Sequence, residues 1–164
     1  MRRAYWTTAA LLTCGLILFG QNRFDEARER ALIQAVLDAH GAAWTKGDAK
    51  AAAAVMTEDS DWVSSDGSVV TGRRAIEAAH EELLTGSGKG SRHSHPGTPR
   101  IRFIRRDVAI VDGDSFVGGL RDKDGKELPA QLSCYTAVFV NEDGRWLVTA
   151  FRSLPQVKPS TSAH

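Results

Sequence analysis

Between residues 24 and 44 the side chains repeat at helical spacing. Ile33, Val36, Leu37, His40 and Trp44 fall on one face, while Asp25, Glu26, Arg28, Glu29 and Arg30 open the segment on the solvent side. The pattern predicts a long amphipathic helix that stops at Gly47. Asp48 can cap a second, short helix over residues 49–56, because its carboxylate accepts hydrogen bonds from the orphan backbone donors of a first turn. Trp62 and Val63 read as strand. Asp66-Gly67 is a hairpin signal, since the turn needs positive φ, and Val69 and Val70 return. Ile76, Ala79, His80 and Leu83 give a third helix over residues 72–84.

Beyond this helix the pattern changes. Residues 85–90 are rich in Gly and Ser and predict a loop. Strands are expected over residues 100–105, 108–117, 130–140 and 146–151, with turns near Arg106-Asp107, over residues 122–125 and at Asp143-Gly144. Pro155 and Pro159 mark a loose tail over residues 154–164. Helices come early and strands late, so the fold class is α+β: helices on one face of a curved antiparallel sheet, in one domain over residues 24–153.

Composition narrows the function classes. The 164 residues are 42% hydrophobic and 25% charged, with a net charge of +1. No broad basic surface emerges, so no nucleic-acid partner is expected. Arg2 and Arg3 precede a mostly apolar run over residues 4–20, which reads as a signal peptide or signal-anchor and implies an exported, extracytoplasmic protein. Membrane association is expected only through that segment if it is retained. Lipidation at Cys14 is disfavoured because the apolar run continues past it. The chain has two cysteines, Cys14 and Cys134, and no disulfide framework. Cys134 sits in an apolar strand and reads as a buried small hydrophobe.

Known motifs fail on context. Gly113-Asp114-Ser115-Phe116 lies mid-strand with no matched His-Asp block, Gly88-Lys89-Gly90 lacks the rest of a phosphate loop, and residues 122–125 lack the carboxylates of a calcium loop. There is no Gly-x-Gly-x-x-Gly, so a nicotinamide site is not expected.

An ordered set of short segments carries a family resemblance. It comprises Ala43-Trp44-Thr45-Lys46-Gly47-Asp48, Thr57-Glu58-Asp59-Ser60-Asp61-Trp62, Asp66-Gly67, Gly72-Arg73-Arg74-Ala75-Ile76, Asp107-Val108-Ala109-Ile110-Val111 and Asp143-Gly144-Arg145-Trp146. The set, over residues 24–153, resembles the NTF2-like superfamily and its SnoaL-like proteins, nearest the SgcJ/EcaC-type group. The resemblance implies a cone-shaped (cystatin-like) fold with a pocket at its open end, often dimeric through the sheet. It does not by itself imply an activity.

The ketosteroid isomerases share this fold and combine a carboxylate base with oxyanion donors. On the register that the resemblance gives, the base position falls on Ser64, the oxyanion tyrosine on His40, a supporting tyrosine on His80 and the protonated aspartate on Thr136. That reaction is therefore disfavoured. The same register turns His40, Trp44, Met56, Trp62, Ser64 and His80 toward the pocket. From the strands it adds Asp112, Asp114 and Phe116, then Cys134, Thr136 and Val138, then Thr149, Phe151 and Ser153.

His40, His80, Asp112 and Asp114 are the candidate catalytic residues, as a polar cluster in which an acid beside an imidazole would raise its pKa. Trp44, Met56, Trp62, Ser64, Phe116, Thr136 and Phe151 are the candidate ligand contacts. His93 and His95, at i and i+2, share a face of an extended segment. They read as exposed loop residues, with closure over the pocket mouth as the alternative. No cofactor or metal is expected, because no tight ligand motif or cysteine cluster occurs. Tyr135, Phe139 and Trp146 are expected on the outer sheet face as a homodimer interface.

Two readings stay open. One is a pocket protein for a small, largely apolar molecule bearing a polar group, with isomerase, cyclase or hydrolase chemistry open to it. The other is a non-catalytic accessory or dimerisation domain.

Overall fold

The computed structural model describes residues 24–155. Residues 1–20, expected to be a signal segment, with Cys14 among them, and residues 156–164 of the expected tail lie outside the described residues. Among the described residues no helix is long and apolar enough to cross a membrane.

The elements run α1 (Glu26–Thr45), α2 (Ala49–Ala53), β1 (Met56–Val63), β2 (Val69–Thr71), α3 (Arg73–Thr85), β3 (Arg92–Ser94), β4 (Arg100–Arg105), β5 (Val108–Gly118), β6 (Gln131–Glu142) and β7 (Arg145–Pro155). Asp25 caps α1 by accepting from the Arg28 backbone N–H, and Asp48 caps α2 by accepting from that of Ala51. α2 is shorter than expected because the chain is already captured by the sheet at its end. The Val148 N–H donates to the Val55 carbonyl at 2.9 Å, and Met56 opens β1. β7 also runs on to Pro155, beyond the expected start of the tail.

The strands form one seven-stranded sheet in the order β2-β1-β7-β6-β5-β3, and β4 also pairs with β5. β3 takes the Phe116 end of β5 and β4 the Val108 end, so both occupy one edge. The α+β architecture with helices on a curved sheet is as expected. One pairing corrects the expectation of an antiparallel sheet: β1 lies parallel to β7, which makes the sheet mixed.

The helix-covered face carries the core. Ile33 and Leu37 of α1 and Ile76 of α3 meet Val111, Tyr135, Ala137, Phe139, Val148 and Phe151 of the sheet. Each large apolar side chain buried this way stabilises the fold by about 1.5–3 kcal/mol. Trp146 ties the far end together, being buried while its Nε1 donates to Glu29 Oε2 at 2.7 Å.

This core corrects the expected strand register. The residues facing the helices are Ala109, Val111 and Ser115 on β5 and Tyr135, Ala137 and Phe139 on β6. Asp112, Asp114 and Phe116, with Cys134, Thr136 and Val138, therefore point to the opposite face, because a shift of one residue inverts a whole strand. Tyr135, Phe139 and Trp146 are 2%, 0% and 3% exposed, so they are core and cannot be the outer patch proposed for a dimer. On β7 the expectation for Phe151 and Ser153 holds in part. Ser153 pairs with Tyr135 and Phe151 with Ala137, while Thr149 falls at a bulge.

Candidate functional site

Four histidines meet beneath the helices. His40 comes from α1 and His80 from α3, and their ring centroids are 5.8 Å apart. The expected approach of these two rings is present. His93 and His95 join them from β3 and its following residue. His93 lies 5.0 Å and His95 5.8 Å from His40, and the two are 4.7 Å from each other.

Burial of His93 corrects its reading as an exposed loop residue. Its backbone pairs with Val117, and alternation along β3 turns the ring inward. Gly41 of α1 makes this possible: a Cβ there would sit 3.0 Å from the His93 carbonyl oxygen. The Thr45 hydroxyl fastens the contact by accepting from the His93 backbone N–H at 3.2 Å.

Aromatic walls surround the cluster. Trp62 stacks on Phe151 at 4.2 Å, and Tyr135 stacks on Phe151 at 5.2 Å. Trp44 stands 5.2 Å from His80 and 5.1 Å from His93, with its indole N–H donating to Ser91 Oγ at 2.9 Å. Tyr135 reaches this position because Gly113 lies opposite, where a Cβ would come within 2.7 Å of the phenol oxygen.

The imidazoles are held neutral. Burial pushes His80 down to about 4. Burial, and then the other imidazoles nearby, push His93 down to about 3 and His40 well below its ordinary value. His95 falls to about 4 through burial, partly opposed by the Asp38 carboxylate and the Asp114 backbone carbonyl. This reverses the expectation that a neighbouring acid would raise a histidine here.

The two acids stand elsewhere. Asp112 accepts from Arg100 and from the Thr136 hydroxyl, each at 2.7 Å, on the face away from the helices, so its carboxyl is lowered there and serves no imidazole. Asp114 is exposed. Phe116 and Thr136 belong to that same outer face and are not brought to the cluster. Cys134, also on that face, is half-buried and directs its Sγ to the Leu154 carbonyl.

A cavity of about 330 Å³ opens beside the cluster. Trp44, Trp62 and Phe151 wall it, Ser64, Ser133 and Ser153 line it, and His93 with Ser115 sits at its side. His93 Nε2 and Ser115 Oγ are 2.8 Å apart. A second cavity of about 220 Å³ shares Trp44, Trp62 and Ser64 and adds His80. Of the expected ligand contacts, Trp44, Trp62, Ser64 and Phe151 are gathered here, and Met56 lies behind them in a small void beside His40.

Ser115 was missed by sequence reasoning, and Tyr135 and His93 were placed outside. One signal could have found the first two. Tyr135 and Phe139 are large aromatics that gain most from burial, and putting them inside by the period of two also puts Ser115 inside and the acids out.

Comparison with known proteins follows the same lines. A Nostoc punctiforme domain with a cystatin-like fold superposes with a TM-score of 0.69 at 22% identity, covering 82% of this chain and 80% of that one. A Xanthomonas campestris chain, whose description proposes a calcium/calmodulin-dependent protein kinase II association domain, gives a TM-score of 0.64 at 26% identity, covering 97% and 99%. A hexachlorocyclohexane dehydrochlorinase, LinA-type3 of Novosphingobium barchaimii, gives 0.69 at 17% identity, covering 84% and 94%. No curated protein matches. The NTF2-like, cystatin-like fold is shared by all of these structures, and residues 25–152 match the SnoaL-like domain, so this chain belongs to the SnoaL-like domain family.

Proposed function

We propose that the protein binds a small, largely apolar molecule that carries a hydrogen-bonding group, and that it does so outside the cytoplasm. The observation that carries the binding reading is the open cavity of about 330 Å³, in which aromatic walls face serines and the His93–Ser115 pair. Apolar walls with a few convergent polar groups are the ordinary chemistry of a small-ligand site. Export rests on Arg2, Arg3 and the apolar run after them.

Isomerisation, cyclisation and hydrolysis are the reaction classes we place with this site. Imidazoles lowered to about 4 at His80 and about 3 at His93 are weak bases at neutral pH, so these two suit orienting and polarising a bound carbonyl or hydroxyl better than abstracting a proton. A neighbour of the same fold is named as a dehydrochlorinase of hexachlorocyclohexane, a small apolar molecule, in keeping with this class of ligand.

The alternative is an accessory or assembly domain. It draws support from the Xanthomonas chain, which this chain matches over nearly its full length. A cavity left open by core side chains favours the pocket reading. Trp44 and Trp62 both line it, so their fluorescence tests the proposal. Titration of small apolar ketones, alcohols and lactones should change tryptophan emission saturably in the natural chain and less in Trp62→Ala. Emission that no ligand of this class alters would count against the proposal.

A further inference from the structure

We propose that His40, His93 and His95 form a binding site for one divalent transition-metal ion of the zinc class. Each offers a ring nitrogen, and the three atoms lie within 4.8 Å of one another. The proposal stands on this cluster and does not depend on what the neighbouring cavity binds.

The polar bookkeeping points the same way. His40 Nε2 and His93 Nδ1 are shut off from solvent and lack a hydrogen-bond partner within the protein, and the ring nitrogens of His95 are shut off from solvent beside them. Burying such a group without a partner is costly. An ion at their centre satisfies three at once.

The donor set selects the ion. Imidazole nitrogen suits zinc, copper, nickel and cobalt, whereas calcium and magnesium require oxygen. Three neutral imidazoles leave a fourth position for water or a ligand atom. Tetrahedral coordination sets ligand nitrogens about 3.3 Å apart, so small ring rotations within the 4.8 Å cluster would complete the site. Ser115 supplies the outer support. Its Oγ meets His93 Nε2 at 2.8 Å, which leaves Nδ1, the unpartnered atom, as the nitrogen His93 can give to a metal.

His40 and the His93/His95 pair are more than fifty residues apart, and only the packing of β3 over Gly41 unites them.

The test uses the full chain without an affinity tag, stripped by a chelator and titrated with Co²⁺, then with Zn²⁺. One Co²⁺ per chain should bind with the intense visible absorption of a low-coordinate nitrogen site, and Zn²⁺ should abolish that absorption. His40→Gln and His95→Gln should each weaken Co²⁺ binding by more than about 100-fold, and Ser115→Ala by about tenfold. His95 is less buried than His40, so His95→Gln, checked for folding by circular dichroism, carries the test if His40→Gln does not fold. Absence of Co²⁺ and Zn²⁺ binding to the natural chain would overturn the site. So would unchanged Co²⁺ affinity in folded His95→Gln.

Discussion

His93 Nε2 lies 2.8 Å from Ser115 Oγ, joining β3 to β5 at the side of the cavity. Both residues are buried, at 7% and 5% exposure, yet both also line the open cavity, so water can reach the broken bond. Ser115→Ala should destabilise the fold by about 0.5–1.5 kcal/mol, the net worth of a typical hydrogen bond. Urea unfolding would read this as a lower midpoint with an unchanged slope. A midpoint equal to that of the natural chain would mean that the pair contributes nothing.

Stability should fall with acid. In the metal-free protein the folded-state pKa values of His80 and His95 are near 4 and that of His93 near 3, all below the ordinary 6.5. The unfolded chain therefore binds more protons than the folded chain below pH 6.5. Stability is full above that pH and is lost as pH falls toward 4 and then 3, by up to about 1.4 kcal/mol per pH unit for each histidine. Denaturation midpoints at pH 7.5, 6 and 5 would measure the slope. His80→Leu should make it shallower; a slope independent of that substitution would contradict the assignment.

Gly41 should tolerate no large side chain. A Cβ there would press on the His93 carbonyl at 3.0 Å, and β3 cannot yield without moving both histidines that it positions. Gly41→Val should cost about 1–3 kcal/mol through overpacking. Histidine ring signals in NMR spectra should shift for His93 and His95 together. Unperturbed signals would show that β3 is not held by this contact.

The long helices, the cap at Asp48 and the hairpin at Asp66-Gly67 were legible in the sequence, because local periodicity and turn chemistry decide them. The meeting of His40 and His80 was legible as well, since both stand on apolar helix stripes. The register of β5 and β6 was not. Both faces of those strands carry apolar residues, with Val108, Ile110 and Val138 on one and Ala109, Val111 and Ala137 on the other, so alternation alone has two solutions. The burial of Tyr135 and Phe139 breaks the tie, and it carries Asp112 and Asp114 out of the site. His93 was illegible for a different reason. β3 is three residues long and becomes a strand only through its pairing with β5.

Trp146 closes the core opposite the cavity, and its indole donates to Glu29 at 2.7 Å. Trp146→Ala should cost about 3–5 kcal/mol through the cavity that it leaves and the partner that it strands. Trp146→Phe restores most of the volume and should recover most of that loss. Thermal unfolding of the two variants would separate packing from the hydrogen bond. Equal losses in both would assign the effect to the Glu29 contact instead.

The most direct test of the pocket reading is native mass spectrometry of the full chain, purified gently and without exposure to detergent. The account predicts a mass above that of the polypeptide by one small organic molecule, retained at low activation energy and released as that energy rises. Trp62→Ala, which removes the wall stacked on Phe151, should carry less of it. A natural chain that shows only its own mass, and that still shows only its own mass after incubation with small apolar carbonyl compounds, would contradict the account.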